Sequence, residues 1–240
     1  MKEILLLTVI CVVFGSGLGA FLGIFFGAKK IGITLAFTGG LMMAIVFFDL
    51  LPAAMTAGNL ITVILGFFIG IFFVSLIEKM ISGREYRQQN VNQSLVNAGI
   101  VMLIAMALHN FPEGMAIGSA GTVDYSSGFL VALMITLHDI PEAMAIATPL
   151  SGGNVKRGKV FFLTILSGIS TVLGAVIGFW IGKMSDFGLA LCLGAAGGAM
   201  LYIVFADMIP EAFKEINGKN CSIFVLIGII FGIMLIKIIK

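Results

Sequence analysis

The chain has 240 residues, of which 60% are hydrophobic and 11% charged, with a mean hydropathy of +1.15 and a formal net charge of +2. Soluble domains carry about 25% charged residues, so the composition excludes a soluble protein and gives an integral membrane protein. Cys11, Cys192 and Cys221 have no paired spacing, which excludes a disulfide framework or a thiolate metal site.

A span needs about twenty apolar residues to cross about 30 Å of hydrocarbon at 1.5 Å per residue. Such runs are predicted near 4–28, 32–56, 60–80, 95–118, 127–148, 159–183, 187–212 and 221–238, eight helices in all. No small-x-small cleavage site leads from the opening run into a polar mature domain, so it reads as the first span. Glycines at 15, 19, 23 and 27 form a stripe on one face of it, which favours close helix packing.

The second span carries Thr38-Gly39-Gly40 through Asp49 and Pro52, and the third carries Val63-x-x-Gly66-x-x-x-Gly70. A polar stretch of about Ile81–Gln93 follows, with no histidine in it. The fourth span reads Leu108-His109-Asn110-Phe111-Pro112-Glu113-Gly114-Met115-Ala116-Ile117, and the fifth reads Leu137-His138-Asp139-Ile140-Pro141-Glu142-Ala143-Met144-Ala145-Ile146. Seven of these ten positions agree, and the pair holds the only two histidines in the chain. A short loop around Ser119–Ser126 is expected between them.

The later spans repeat the earlier ones. Leu18 to Gly27 matches Leu173 to Gly182 as Leu-Gly-Ala-x-x-Gly-x-x-x-Gly, at an offset of 155. Thr38 to Met55 matches Ala196 to Phe213 at nine of eighteen positions, Asp207 and Pro210 included, at 158. Val63-x-x-Gly66 matches Val225-x-x-Gly228 at 162. Three spans thus resemble three others five crossings on, and an odd number of crossings inverts them. The expected fold is all-α: eight transmembrane helices in a 3+2+3 inverted repeat, the usual construction of secondary transporters. It forms one domain over 1–240, with repeat one at about 4–80, the central pair at about 95–148 and repeat two at about 159–238.

Lys and Arg accumulate in cytoplasmic loops. Ten basic residues fall in alternate loops, against four on the other side, which predicts extracytoplasmic termini. The excess charge is therefore topological and does not point to nucleic acid.

Asp49, Glu113, Asp139, Glu142 and Asp207 lie within spans, and Glu211 near a span end, with no Lys or Arg read at comparable depth. Five uncompensated carboxylates would cost roughly 12–18 kcal/mol if summed, so cations or protons must neutralise them. Histidine beside carboxylate favours a divalent transition metal. With His109 at 0° on a helical wheel, Asn110 falls at about 100° and Glu113 at about 40°, between them. His138, Asp139 and Glu142 repeat the pattern. Two such faces opposed give a nitrogen-rich site (His109, His138, Glu113, Glu142) beside an oxygen-rich one (Asn110, Asp139), with the glutamates able to bridge.

Pro52, Pro112, Pro141 and Pro210 each follow an Asp or His by three residues. Each is expected to kink its helix and free the carbonyl four back, on Phe48, Leu108, Leu137 or Ala206. Asp49, Asp207 and Glu211 are candidate path residues, and the first two read equally well as interhelical hydrogen-bonders. The methionines, Met42, Met43, Met115 and Met144 among them, read as packing.

These motifs resemble the ZIP (Zrt/Irt-like) family of divalent metal transporters, and the bacterial zinc-uptake branch in particular, over all eight spans. The resemblance implies metal entry into the cytoplasm across the cell membrane, a homodimer in the lipid bilayer, and metal as cargo rather than cofactor. It also implies a primary metal on His109, Glu113, His138 and Glu142, and a second one joined by Asn110 and Asp139. Bacterial relatives commonly carry a Glu-Pro in span six, where this chain has Thr171-Val172, so the second site is expected to be weaker or occupied only in passing, with a metal preference open to change.

The function expected is alternating-access transport of Zn²⁺, or of Fe²⁺, Mn²⁺ or Cd²⁺. Two rivals are an intramembrane metal-dependent hydrolase, which lacks a His-Glu-x-x-His, and a proton-coupled carrier of a non-metal solute.

Overall fold

The computed structural model describes residues 2–26, 30–82, 91–123, 125–181 and 185–239, and for some helical positions, His109 and His138 among them, the backbone alone. The described residues form eight helical units without a strand: α1 (Lys2–Phe25), α2 (Ile31–Ala57), α3 (Leu60–Ser82), α4 (Val91–Val123), α5 (Tyr125–Gly152), α6 (Arg157–Ser167 and Ile169–Ile181), α7 (Asp186–Glu215) and α8 (Gly218–Ile239). Seven of these are long and apolar enough to cross a membrane, and α3 adds the apolar stretch Leu60–Leu76. The chain is a multi-pass helical membrane protein. Most of the Ile81–Gln93 loop lies outside the described residues.

One expectation changes and another gains detail. Where a loop was expected around Ser119–Ser126, α4 continues to Val123 and α5 begins at Tyr125. Gly121 and Gly128 make this possible, because the backbone of one sits where a Cβ on the other would be, with Ile4 of α1 filling the remaining space.

The detail concerns the prolines, whose local helix differs. Helices α4 and α5 run through Pro112 and Pro141 as α-helix. In α2 and α7 the helix widens into a π turn just before the proline, over Val46–Leu50 and Val204–Met208. Leu51 N–H donates to the Val46 carbonyl and Ile209 N–H to that of Val204, each five residues back. A wider turn relieves the clash between the proline ring and the carbonyl four residues earlier. Asp49 and Asp207 sit on these turns.

Helices in lipid associate by close packing of small residues rather than by exclusion of water. Helix α1 packs along α5, α4 along α6, α3 along α7 and α2 along α8, with α4 and α5 crossing each other. Glycines make the approaches close. A Cβ on Gly19 would strike the Ile140 carbonyl, and one on Gly174 the Phe111 carbonyl. Gly23 faces the Met144 carbonyl as Gly178 faces that of Met115. Gly40 faces Val225 as Gly198 faces Phe67, and Gly228 faces Phe37 as Gly70 faces Ala195. Helices α2 and α7 meet at their π turns, Gly39 against Val204 and Met208, and Gly197 against Val46 and Leu50.

Methionines fill the centre, as the sequence suggests: Met42, Met102, Met106, Met200 and Met208 are fully buried. Arg157 stacks over the Phe25 ring at 5.1 Å, joining the start of α6 to the end of α1.

Candidate metal centre

Helices α4 and α5 bring the two motifs together at their crossing. Asn110, Glu113, Asp139 and Glu142 are 1–3% exposed. Glu113, Asp139 and Glu142 each offer a carboxylate oxygen within 4.8 Å of the others. Two unit charges 4.8 Å apart repel by about 3.5 kcal/mol at an effective dielectric of about 20, so a positive countercharge belongs among them. Asn110, Asp139 and Glu142 also line a small cleft with Ser16, Met106, Ala143, Ile146 and Ser167. His109 and His138 lie on α4 and α5 one turn before Glu113 and Glu142, and their side chains are outside the described set.

The neighbouring helices fix these acids through absent side chains. A Cβ on Gly15 of α1 would lie 2.7 Å from the Thr136 carbonyl oxygen and 2.8 Å from Asp139 Cβ. Gly114, next to Glu113, gives its Cβ space to the Thr171 carbonyl of α6. Four buried helical threonines, Thr8, Thr38, Thr136 and Thr164, turn their hydroxyls to the carbonyl four back. Thr171 is fully buried without doing so, and its Oγ1 has no hydrogen-bond partner among the described residues.

Asp49, Asp207 and Glu211 do not join the cluster. Asp49 is half-buried on α2. Asp207 lies on α7 within electrostatic reach of Glu78, Glu211 and Lys214. Lys214 Nζ donates to Glu211 Oε2 at 2.6 Å, so a basic side chain does come down to this acid.

Sequence reading passes over Glu78, whose neighbour Lys79 makes it look like an ordinary span end. The Tyr202 hydroxyl donates to Glu78 Oε2 at 2.5 Å, tying α3 to α7. Tyr202→Phe is expected to lower stability by about 1–2 kcal/mol and leave zinc affinity unchanged, as thermal unfolding and calorimetric titration will show.

A polytopic helical membrane protein with a buried carboxylate cluster between two crossing helices belongs to the class that handles cations within the bilayer. Comparison with known proteins narrows the class. Residues 82–240 match the family model described as ZIP Zinc transporter. The chain is 32% identical to zinc transporter ZupT of Chlorobium chlorochromatii (strain CaD3), over 93% of this chain and 91% of that protein. It is 29% identical to zinc transporter ZupT of Clostridium perfringens over 99% and 96%, and 33% identical to zinc transporter ZTP29 of Arabidopsis thaliana over 83% and 80%. The chain belongs to the ZIP zinc-transporter family. It is a divalent metal transporter rather than a hydrolase, and the metal is its substrate.

Proposed function

We propose that the chain carries Zn²⁺, or a similar divalent ion such as Fe²⁺, Mn²⁺ or Cd²⁺, into the cytoplasm by alternating access through the α4–α5 cluster. The observation that carries this is the approach of Glu113, Asp139 and Glu142 within 4.8 Å, buried between two helices of a family whose model is described as a zinc transporter. His109, Glu113, His138 and Glu142 form the primary site, with Asn110 and Asp139 joining the glutamates at a second. The closeness of Asp139 to both glutamates supports bridging carboxylates. Asp207 and Glu211, with Glu78 beside them, lie on the route to the side where α3 and α7 end, and Asp49 on the route at the other end of the bundle.

The fold on this reading is a 3+2+3 inverted repeat within one transmembrane domain. The paired glycine contacts support it: Gly19 with Ile140 answers Gly174 with Phe111, and Gly23 with Met144 answers Gly178 with Met115. The two π turns are 158 residues apart. The contacts also favour a different register for the last pair. Gly40 with Val225 answers Gly198 with Phe67, which relates α3 to α8 by 158 rather than 162.

The ten-to-four distribution of Lys and Arg supports extracytoplasmic termini, and the family resemblance implies a cell-membrane location. The exposed apolar faces of α3 and α8 suit lipid and, in the homodimer that the family resemblance implies, a second copy.

Proteoliposomes loaded with a zinc-sensitive dye test the reading. Saturable zinc influx in the parent protein, reduced at least tenfold by Glu113→Ala or Asp139→Ala, is the expected result. Influx indifferent to both substitutions contradicts it.

A further inference from the structure

The cleft beside the carboxylates is lined from other helices as well. Beside Asn110, Asp139 and Glu142, the lining includes Ser16 of α1 and Ser167 of α6, 3% and 5% exposed. Both serines border the place where α6 is interrupted at Gly168: Ser167 is the last residue before the break, and Ser16 Oγ lies 3.2 Å from where a Gly168 Cβ would stand. Interrupted helix at membrane depth is tolerated where it is packed in protein or borders a polar cavity. This break borders the acid-lined cleft.

The hydrogen bonding fixes what Ser167 can offer. Its hydroxyl donates to the Thr164 carbonyl at 2.7 Å. With the proton committed to backbone, only the oxygen lone pairs remain for the cleft. Lone pairs sharing a cleft with two carboxylates and an amide suit a cation, and they add no negative charge.

We infer that Ser167, with Ser16 beside it, is a specificity-determining residue of the metal site, giving a neutral hydroxyl oxygen to the divalent cation held by Asn110, Asp139 and Glu142. This rests on the cargo site proposed above and adds a third helix to it. A hard, neutral oxygen favours ions such as Mn²⁺ and Zn²⁺ over the softer Cd²⁺, and a sulfur at the same place reverses the preference.

Ser167→Cys, made in a background with Cys11, Cys192 and Cys221 replaced by alanine, tests this with Cd²⁺ as the probe. Cadmium is expected to raise a thiolate-to-metal charge-transfer band at one equivalent, and the Cd²⁺-to-Mn²⁺ affinity ratio is expected to rise about tenfold. Glu142→Gln should remove the band, and Leu173→Cys, on the exposed side of the same helix, should never show one. Ser167→Ala should weaken Mn²⁺ and Zn²⁺ about tenfold. A band that survives Glu142→Gln overturns the inference. So does the lack of a band, or an unchanged metal ratio, where Glu142→Gln still abolishes cadmium binding to the parent background, and that pattern leaves the carboxylate site standing. Cadmium binding to the parent that ignores Glu142→Gln overturns both.

Discussion

Glu142→Gln is expected to weaken zinc binding at least about a hundredfold while leaving the metal-free protein folded. The side chain is 2% exposed and its carboxylate is one of three converging on the cluster. Removing one charged partner from a buried ionic site costs about 3–5 kcal/mol, whereas the amide keeps the shape and most of the packing. The expectation has a thermodynamic signature. At zinc a hundred times its Kd, the ion stabilises the parent by about 2.7 kcal/mol. At the same zinc concentration a variant bound a hundredfold less tightly gains only about 0.4 kcal/mol. Calorimetric titration and thermal unfolding with and without zinc measure both quantities. A variant that loses metal-free stability but keeps the zinc-dependent rise would make Glu142 a structural residue.

The second large effect is expected at a glycine far from any charge. Gly174→Val should cost more than about 3 kcal/mol, because its Cβ would strike the Phe111 carbonyl and lie 2.9 Å from Met115 N–H nitrogen. Both are backbone atoms of α4, so no side-chain rotation relieves the overlap and the α4–α6 contact must open. The loss should reach the site, since Glu113 lies between those two residues. Gly158→Val is the control. Nothing lies within 4 Å of its Cβ position, and a change within about 0.5 kcal/mol is expected. Thermal stability of the two variants in the same detergent, with zinc affinity alongside, decides it: equal stabilities would mean that α4 and α6 do not pack through this glycine.

Much of the molecule is legible in the sequence because a bilayer allows so few solutions. Apolar length gives the spans, and the duplicated motif with its helical spacing places Glu113, Asp139 and Glu142 on facing sides of two helices, where the structure has them within 4.8 Å of one another. What escapes is set by packing between elements. A proline reports a local conflict, but whether the helix absorbs it as a π turn, as before Pro52 and Pro210, or continues through, as at Pro112 and Pro141, depends on the neighbouring helices. On the proposed inverted repeat, the α3–α8 register is hidden for a related reason. Glycines four apart look the same after a slip of one turn, so Gly66-x-x-x-Gly70 aligns with Gly228-x-x-x-Gly232 equally well in sequence, and only the contacts at Phe37 and Ala195 separate the two registers. Ser16 and Ser167 carry no signal at all, since a small hydroxyl on a packed helix face is indistinguishable from a spacer until the rest of the cleft lining is known.

Thr171 and Glu78 show the same limit from opposite directions. Alignment to the family motif marks Thr171 as the missing acid, yet the α6 residue lining the cleft is Ser167, one turn earlier. Glu78 looks like an ordinary charge at a span end and instead joins Tyr202 in a contact between α3 and α7.

On the proposed function, the transported ion is held by the carboxylates at the α4–α5 crossing. Anomalous diffraction from zinc-loaded crystals at the zinc edge tests it most directly. A peak within bonding distance of Glu113, Asp139 and Glu142, lost in crystals of Glu142→Gln, is the expected result. A peak confined to Glu78, Asp207 and Glu211, with none at the crossing, would contradict it.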